Sequence, residues 1–98
     1  VYTSGQIAID PATGNMVEGG VKEQTEQVCK NVKALLEASG TSIEKVVKTT
    51  CFLADMADFA AFNEIYAGYF TGKPARSCVA AKTLPKGALV EVDTVCLL

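Results

Sequence analysis

The sequence predicts an α+β sandwich, a mixed sheet with two helices covering one of its faces. Three observations lead there. Two stretches carry apolar residues at helical spacing, and β-branched, apolar runs of strand length flank and separate them. Turn residues close off a hairpin at each end of the chain, so the order reads strand, strand, helix, strand, helix, strand, strand. The 98 residues, 49% of them apolar, allow one modest core and a single domain, 1–98. The uncovered sheet face would still carry apolar side chains, and contact with further copies of the chain is the expected way to bury them.

The first segment, Val1 to Ile9, alternates weakly and runs into Asp10-Pro11-Ala12-Thr13-Gly14, which has strong turn chemistry; Met16 and Val17 form the return. The chain opens directly inside this expected strand, which leads to the expectation that whatever normally precedes the strand is missing. From Val21, residues Val28, Val32, Leu35 and Leu36 fall at helical spacing, with Lys22, Glu23, Glu26, Lys30, Lys33 and Glu37 on the other side. This helix should stop at Ser39-Gly40.

Thr41 or Ser42, followed by Glu44 and Lys45, predicts a single helical turn, and Val46 to Leu53 reads as a strand. Simple alternation puts Val47, Thr49, Cys51 and Leu53 on one face and Val46, Lys48, Thr50 and Phe52 on the other. Asp55 or Asp58 can cap a second helix, whose stripe is Phe59, Phe62, Asn63, Tyr66, Tyr69 and Phe70. That helix should end near Gly72, ahead of Pro74. Asn63 is a polar amide inside an aromatic stripe; a structural hydrogen bond to a neighbouring loop is its plainest role. Ala75 to Ala81 and Ala88 to Leu98 read as two strands joined by Leu84-Pro85-Lys86-Gly87.

Composition removes several classes of function. The net charge is −2 and the nine basic residues are scattered, so there is no electrostatic footprint for nucleic acid, and none is expected as a partner. No apolar stretch reaches the roughly 20 residues that span a bilayer, and a cytoplasmic protein is expected. Cys29, Cys51, Cys78 and Cys96 are dispersed and histidine is absent, so neither disulfides nor a metal site is expected. Without histidine, the usual nucleophile triads are excluded as well. No Gly-rich phosphate loop occurs.

Two groups remain that can carry chemistry. Arg76 lies among small and apolar residues in Pro74-Ala75-Arg76-Ser77-Cys78-Val79, where a guanidinium needs an anion and its planar fork suits a carboxylate. That anion is either a ligand or an acid of the protein, with Glu91 or a neighbouring subunit's carboxylate as the structural alternative. Glu91 and Asp93 are two apart on an apolar strand and emerge on one face, to neutralise a cation or to serve in acid–base work.

The run Pro74 to Lys82, then Leu84 to Val92, resembles the C-terminal signature of the RidA (reactive intermediate deaminase, YjgF-type) family. Ser4-Gly5-Gln6-Ile7 with Asp10-Pro11 and Thr13-Gly14 is similar to its N-terminal hairpin, and Val46 to Thr50, Asp55, Asp58-Phe59, Asn63 and Tyr66 to its middle. The resemblance covers the whole chain. It implies a chorismate-mutase-like fold assembled as a homotrimer, with sites in clefts between subunits. It also implies cofactor-free hydrolysis of enamines and imines such as 2-aminoacrylate and 2-iminopropionate to 2-oxo acids and ammonia.

Carried over by position, Arg76 would hold the substrate carboxylate, Gly5 would bring a backbone group to the ligand, and Asn63 and Cys78 would belong to the pocket. Glu91 would orient or activate the attacking water. Cys78 is expected as a wall rather than a nucleophile, although an exposed thiol beside Arg76 should have a lowered pKa. The family normally carries a leading segment with a Gly-Pro-Tyr stretch that this chain does not show, and often has glutamate where Asp93 stands. The alternative function is a non-catalytic trimer that binds small carboxylates in the same cleft. RNA-acting and translation-inhibiting roles have been attached to relatives, but the acidic pI of about 5.0 argues against them here.

Overall fold

The computed structural model describes residues 1–98. In chain order its elements are α1 (Val21–Ala38), β1 (Val46–Leu53), α2 (Phe59–Tyr69), β2 (Ala75–Ala80) and β3 (Val90–Cys96). The strands form one mixed sheet in the order β2-β1-β3, with β2 parallel and β3 antiparallel to β1. Both helices cover the same face, α1 lying against β3 and α2 beside it. The α+β architecture read from the sequence is therefore the one that forms, and the bounds of β1 agree residue for residue.

The helices begin and end for local reasons. The Glu23 carboxylate accepts the Gly20 N–H at 2.7 Å and sits in the first turn of α1, where negative charge suits the helix dipole. At the other end Ser39 closes the helix and Gly40 turns away at φ +87°. Val28, Cys29, Val32 and Leu36 make its fully buried stripe. Asp55 caps a short turn by accepting the Ala57 N–H at 2.9 Å, and α2 starts directly after it. Phe62, Tyr66 and Phe70 follow at intervals of one turn, the first two rings 5.4 Å apart and the last two stacked at 4.5 Å. Each large side chain buried here contributes roughly 1.5–3 kcal/mol.

The hairpin expected at the C-terminal end does not form, because β2 and β3 lie on opposite sides of β1 and do not pair with each other. Two further expectations fail at the edges of the sheet. The first segment and its return do not form regular strands. The segment lies along the free edge of β3 through isolated antiparallel bridges, Tyr2 to Val95 and Gln6 to Val92, and meets its own return only at Ile9 and Met16. Between the first two bridges four steps of one chain face three of the other, so an extra residue near Ser4-Gly5 breaks the ladder. Asn31 then ties the segment to α1, its amide donating to the carbonyls of Ile9 at 2.8 Å and Ile7 at 3.3 Å.

The second failure is the alternation at the start of β1. The pairing with β3 shifts between Val46 and Lys48, leaving Val47 as the extra residue. Val46 therefore turns inward, 3% exposed, and Val47 outward, 43% exposed, the reverse of simple alternation. Beyond this bulge Thr49, Cys51 and Leu53 face the helices as expected.

Candidate functional site

The two faces of the sheet hold different parts of the expected site. On the helix side Arg76 is the register partner of Thr49, which is fully buried beneath α2. Phe59, Asn63 and Tyr66 are spaced i, i+4, i+7 along α2, so one helix face presents all three to Arg76. The guanidinium carbon lies 5.2 Å from the centre of the Phe59 ring and 4.7 Å from that of Tyr66. Its Nη1 donates to the Asn63 side-chain carbonyl at 2.6 Å. Tyr66 is itself fixed by a 2.8 Å hydrogen bond between its hydroxyl and that of Thr49. Burial raises the Tyr66 pKa, which keeps the phenol neutral.

Arg76 has no acidic partner within the chain, where the one ion pair joins Lys22 to Glu64 at 3.7 Å. The structural alternative of an intrachain pair with Glu91 is thus overturned. So is a loop hydrogen bond for Asn63, whose side chain clamps Arg76 instead. One nitrogen of the fork donates to Asn63, and Arg76 lines an open cleft of about 580 Å³. Its lining comprises Asn63, Tyr66, Ala67, Phe70, Thr71, Lys73, Pro74 and Arg76.

Cys78 follows Arg76 on the same face of β2 and is half-buried, but it is not among the residues lining this cleft. Its register partner is Cys51. The expected lowering of the Cys78 pKa does not occur: desolvation raises it, and the opposing effect of Arg76 is the smaller one. All four cysteines are free, and burial pushes the Cys29 and Cys51 thiols up to about 12.

Glu91 is the register partner of Phe52, and both project from the open face, away from Arg76. Asp93 shares that face with Glu91, as the spacing indicated. Gly5 belongs to the same side: a Cβ there would lie 2.9 Å from the Glu91 carboxyl carbon, so any side chain at this position would have to displace the acid. The Gly5 N–H donates to no acceptor in the chain. Arg76, Asn63 and Cys78 thus lie on one side of the sheet, and Gly5 and Glu91 on the other.

Sequence reasoning missed three contributors. Phe59 and Tyr66 were read as core, yet they also stack on Arg76; their spacing with Asn63 was the available signal. Lys73 was passed over in the turn Thr71-Gly72-Lys73-Pro74, where only its position between a helix end and the Arg76 strand marked it.

Fold and cleft together define a class: small α+β proteins whose edge strand carries, at a cleft, an arginine without an acidic partner, stacked on aromatic rings. The family model described as Endoribonuclease L-PSP matches residues 1–98. The 2-iminobutanoate/2-iminopropanoate deaminase of Mus musculus is 46% identical over 96 residues, covering 97% of this chain and 71% of the mouse protein. Among solved structures, YyfA of the conserved Rid protein family from Yersinia pestis superposes with a TM-score of 0.95 at 47% identity, covering 99% of this chain and 79% of that one. E. coli TdcF with bound serine superposes at 0.93 with 37% identity, over 99% and 79% of the two chains. The chain belongs to the endoribonuclease L-PSP family, the RidA/YjgF family of its sequence resemblance.

Proposed function

We propose that this protein hydrolyses reactive 2-imino and 2-enamino acids, such as 2-iminopropionate and 2-aminoacrylate, to 2-oxo acids and ammonia. The observation that carries this reading is Arg76, an arginine clamped by Asn63, Phe59 and Tyr66, without an acidic partner, at the wall of a cleft. A free α-carboxylate is the anion its unused nitrogens suit, and such a charge-assisted contact is worth roughly 1.5–3 kcal/mol. The serine bound by TdcF carries that same group, and the mouse relative bears the deaminase name.

The chemistry asks little of the protein. A protonated imine is electrophilic at C2; water adds there, the C=N π pair moves to nitrogen, and a base takes the proton released by the water. Collapse of the carbinolamine re-forms C=O, breaks the C–N bond and expels ammonia. Positioning substrate and water supplies most of what is needed. Glu91 is the acid proposed to orient and deprotonate the water. Since it lies on the opposite sheet face from Arg76 in one chain, the proposed site unites Arg76, Asn63 and Cys78 of one copy with Gly5 and Glu91 of another, in a homotrimer.

The same separation favours a second reading, a non-catalytic carboxylate-binding protein, because a single chain brings no base to the anchor. Turnover distinguishes the two. The test is 2-oxo acid release from 2-aminoacrylate generated in situ by a dehydratase, with this chain, its Arg76→Ala variant, or no protein. Faster release that is lost in the variant supports the deaminase; equal rates with a folded oligomer that still binds 2-oxo acids support the binding protein.

A further inference from the structure

The cleft carries more positive charge than one carboxylate cancels. Two of its lining residues are cations, Arg76 and Lys73, and none is an acid. Neither cation is paired elsewhere in the chain, whose one ion pair joins Lys22 and Glu64. A protonated 2-imino monocarboxylate is itself net neutral, so even with the proposed Glu91 of another copy beside Arg76 the site would keep one uncompensated positive charge, at Lys73.

The backbone holds Lys73 in place. Its φ is +54°, in the left-handed region that side-chain-bearing residues rarely adopt. Gly72, just before it, lies so close to the Glu44 carbonyl that no Cβ fits there. The Lys73 N–H reaches back to the Phe70 carbonyl at 3.4 Å, and Pro74 follows. A strained residue beside a cleft is a feature that surrounding structure must enforce, and such residues gather at ligand sites. Only two residues, Pro74 and Ala75, separate Lys73 from Arg76, so their Cα atoms are at most about 11 Å apart, a span that two long side chains can close on a small ligand.

Tyr66 is 6% and Phe70 3% exposed, so the aromatic residues offer a ligand little surface. The lining is apolar over most of its area, with Ala67 and Pro74 among its residues, and the groups able to bind charge or donate hydrogen bonds are Asn63, Thr71, Lys73 and Arg76, in a volume of about 580 Å³ that leaves room beyond a three-carbon acid.

Building on the deaminase reading, we infer that the preferred substrates are 2-imino dicarboxylates of about four to five carbons, with Arg76 on the α-carboxylate and Lys73 on the distal one. The reaction is unchanged: water adds at C2, ammonia leaves, and the product is a 2-oxo dicarboxylate. Lys73 acts on specificity and takes no part in the bond changes.

The test compares imines generated in situ from aspartate and from alanine by amino-acid oxidases, corrected for spontaneous hydrolysis, with the oligomeric protein and its Lys73→Gln and Lys73→Glu variants. The expected result is a higher kcat/KM for the dicarboxylate. Lys73→Gln should lower that preference about threefold to fivefold, chiefly through KM, as befits a partly exposed charge pair. Lys73→Glu should lower it further, and added salt should shrink the preference. An unchanged preference in Lys73→Gln overturns the inference, also where that variant alters oligomer size, since the lysine would then serve subunit contact. Absence of turnover on both imines defeats the deaminase reading instead. Calorimetric binding of 2-oxo dicarboxylates against 2-oxo monocarboxylates then decides the role of Lys73 independently.

Discussion

The helix-covered and open faces of the sheet are built from the same three strands and behave as different materials. On the covered face, Thr49, Cys51, Leu53, Val90, Val92 and Thr94 are almost completely buried, and the one cation, Arg76, is held by three side chains of α2. On the open face, Val47 and Val79 are 43% and 49% exposed, and Glu91 and Asp93 stand among them without an ion-pair partner. The covered face is complete within one chain. The open face presents apolar and acidic groups that nothing in the chain answers, as expected of a surface that meets another copy.

The contrast is sharpest in stability. Phe62 is fully buried between α2 and the sheet, and Phe62→Ala should destabilise the chain by about 3–5 kcal/mol in urea titrations. Val79→Thr on the open face should change the stability of the fold by less than about 0.5 kcal/mol while weakening self-association, read by sedimentation at falling concentration. If the two substitutions cost the fold alike, the distinction between the faces breaks.

A smaller effect comes from protons. Burial holds the Cys29 and Cys51 thiols neutral, with pKa values pushed up from 9.0 to about 12. An unfolded chain would release these protons first as pH rises. Their contribution to stability is therefore fully present below about pH 9 and is lost as pH climbs toward about 12. Urea midpoints measured across that window should fall, and the fall should be shallower in the Cys29→Ala, Cys51→Val double variant. An equal slope in both proteins would assign the alkaline loss to other groups.

Much of this was legible in the sequence, and the reasons are specific. The α1 stripe repeats over several turns, and β1 is a run of β-branched and apolar residues between clear stops, so periodicity located both. The outward turn of Val47 was not legible, because a one-residue bulge inverts alternation without leaving a compositional mark. The broken ladder at Ser4-Gly5 escaped for the same reason. In the site, Arg76 stood out as a lone cation in an apolar run, and Glu91 with Asp93 as paired acids. That they face opposite ways depends on register across three strands, which no local pattern encodes. Lys73 depended on a backbone conformation imposed by Gly72 packing against Glu44, residues far apart in sequence.

The division of the site between two faces can be tested most directly by mixing subunits. Arg76→Ala and Glu91→Gln should each abolish most imine hydrolysis as homogeneous oligomers. Co-assembled from equal amounts, they should regain about a quarter of wild-type turnover, because an Arg76 from one variant then meets a Glu91 from the other in that share of the clefts. Mixed oligomers no more active than the separate variants would contradict a site shared between copies, and with it the proposed pairing of Arg76 with Glu91.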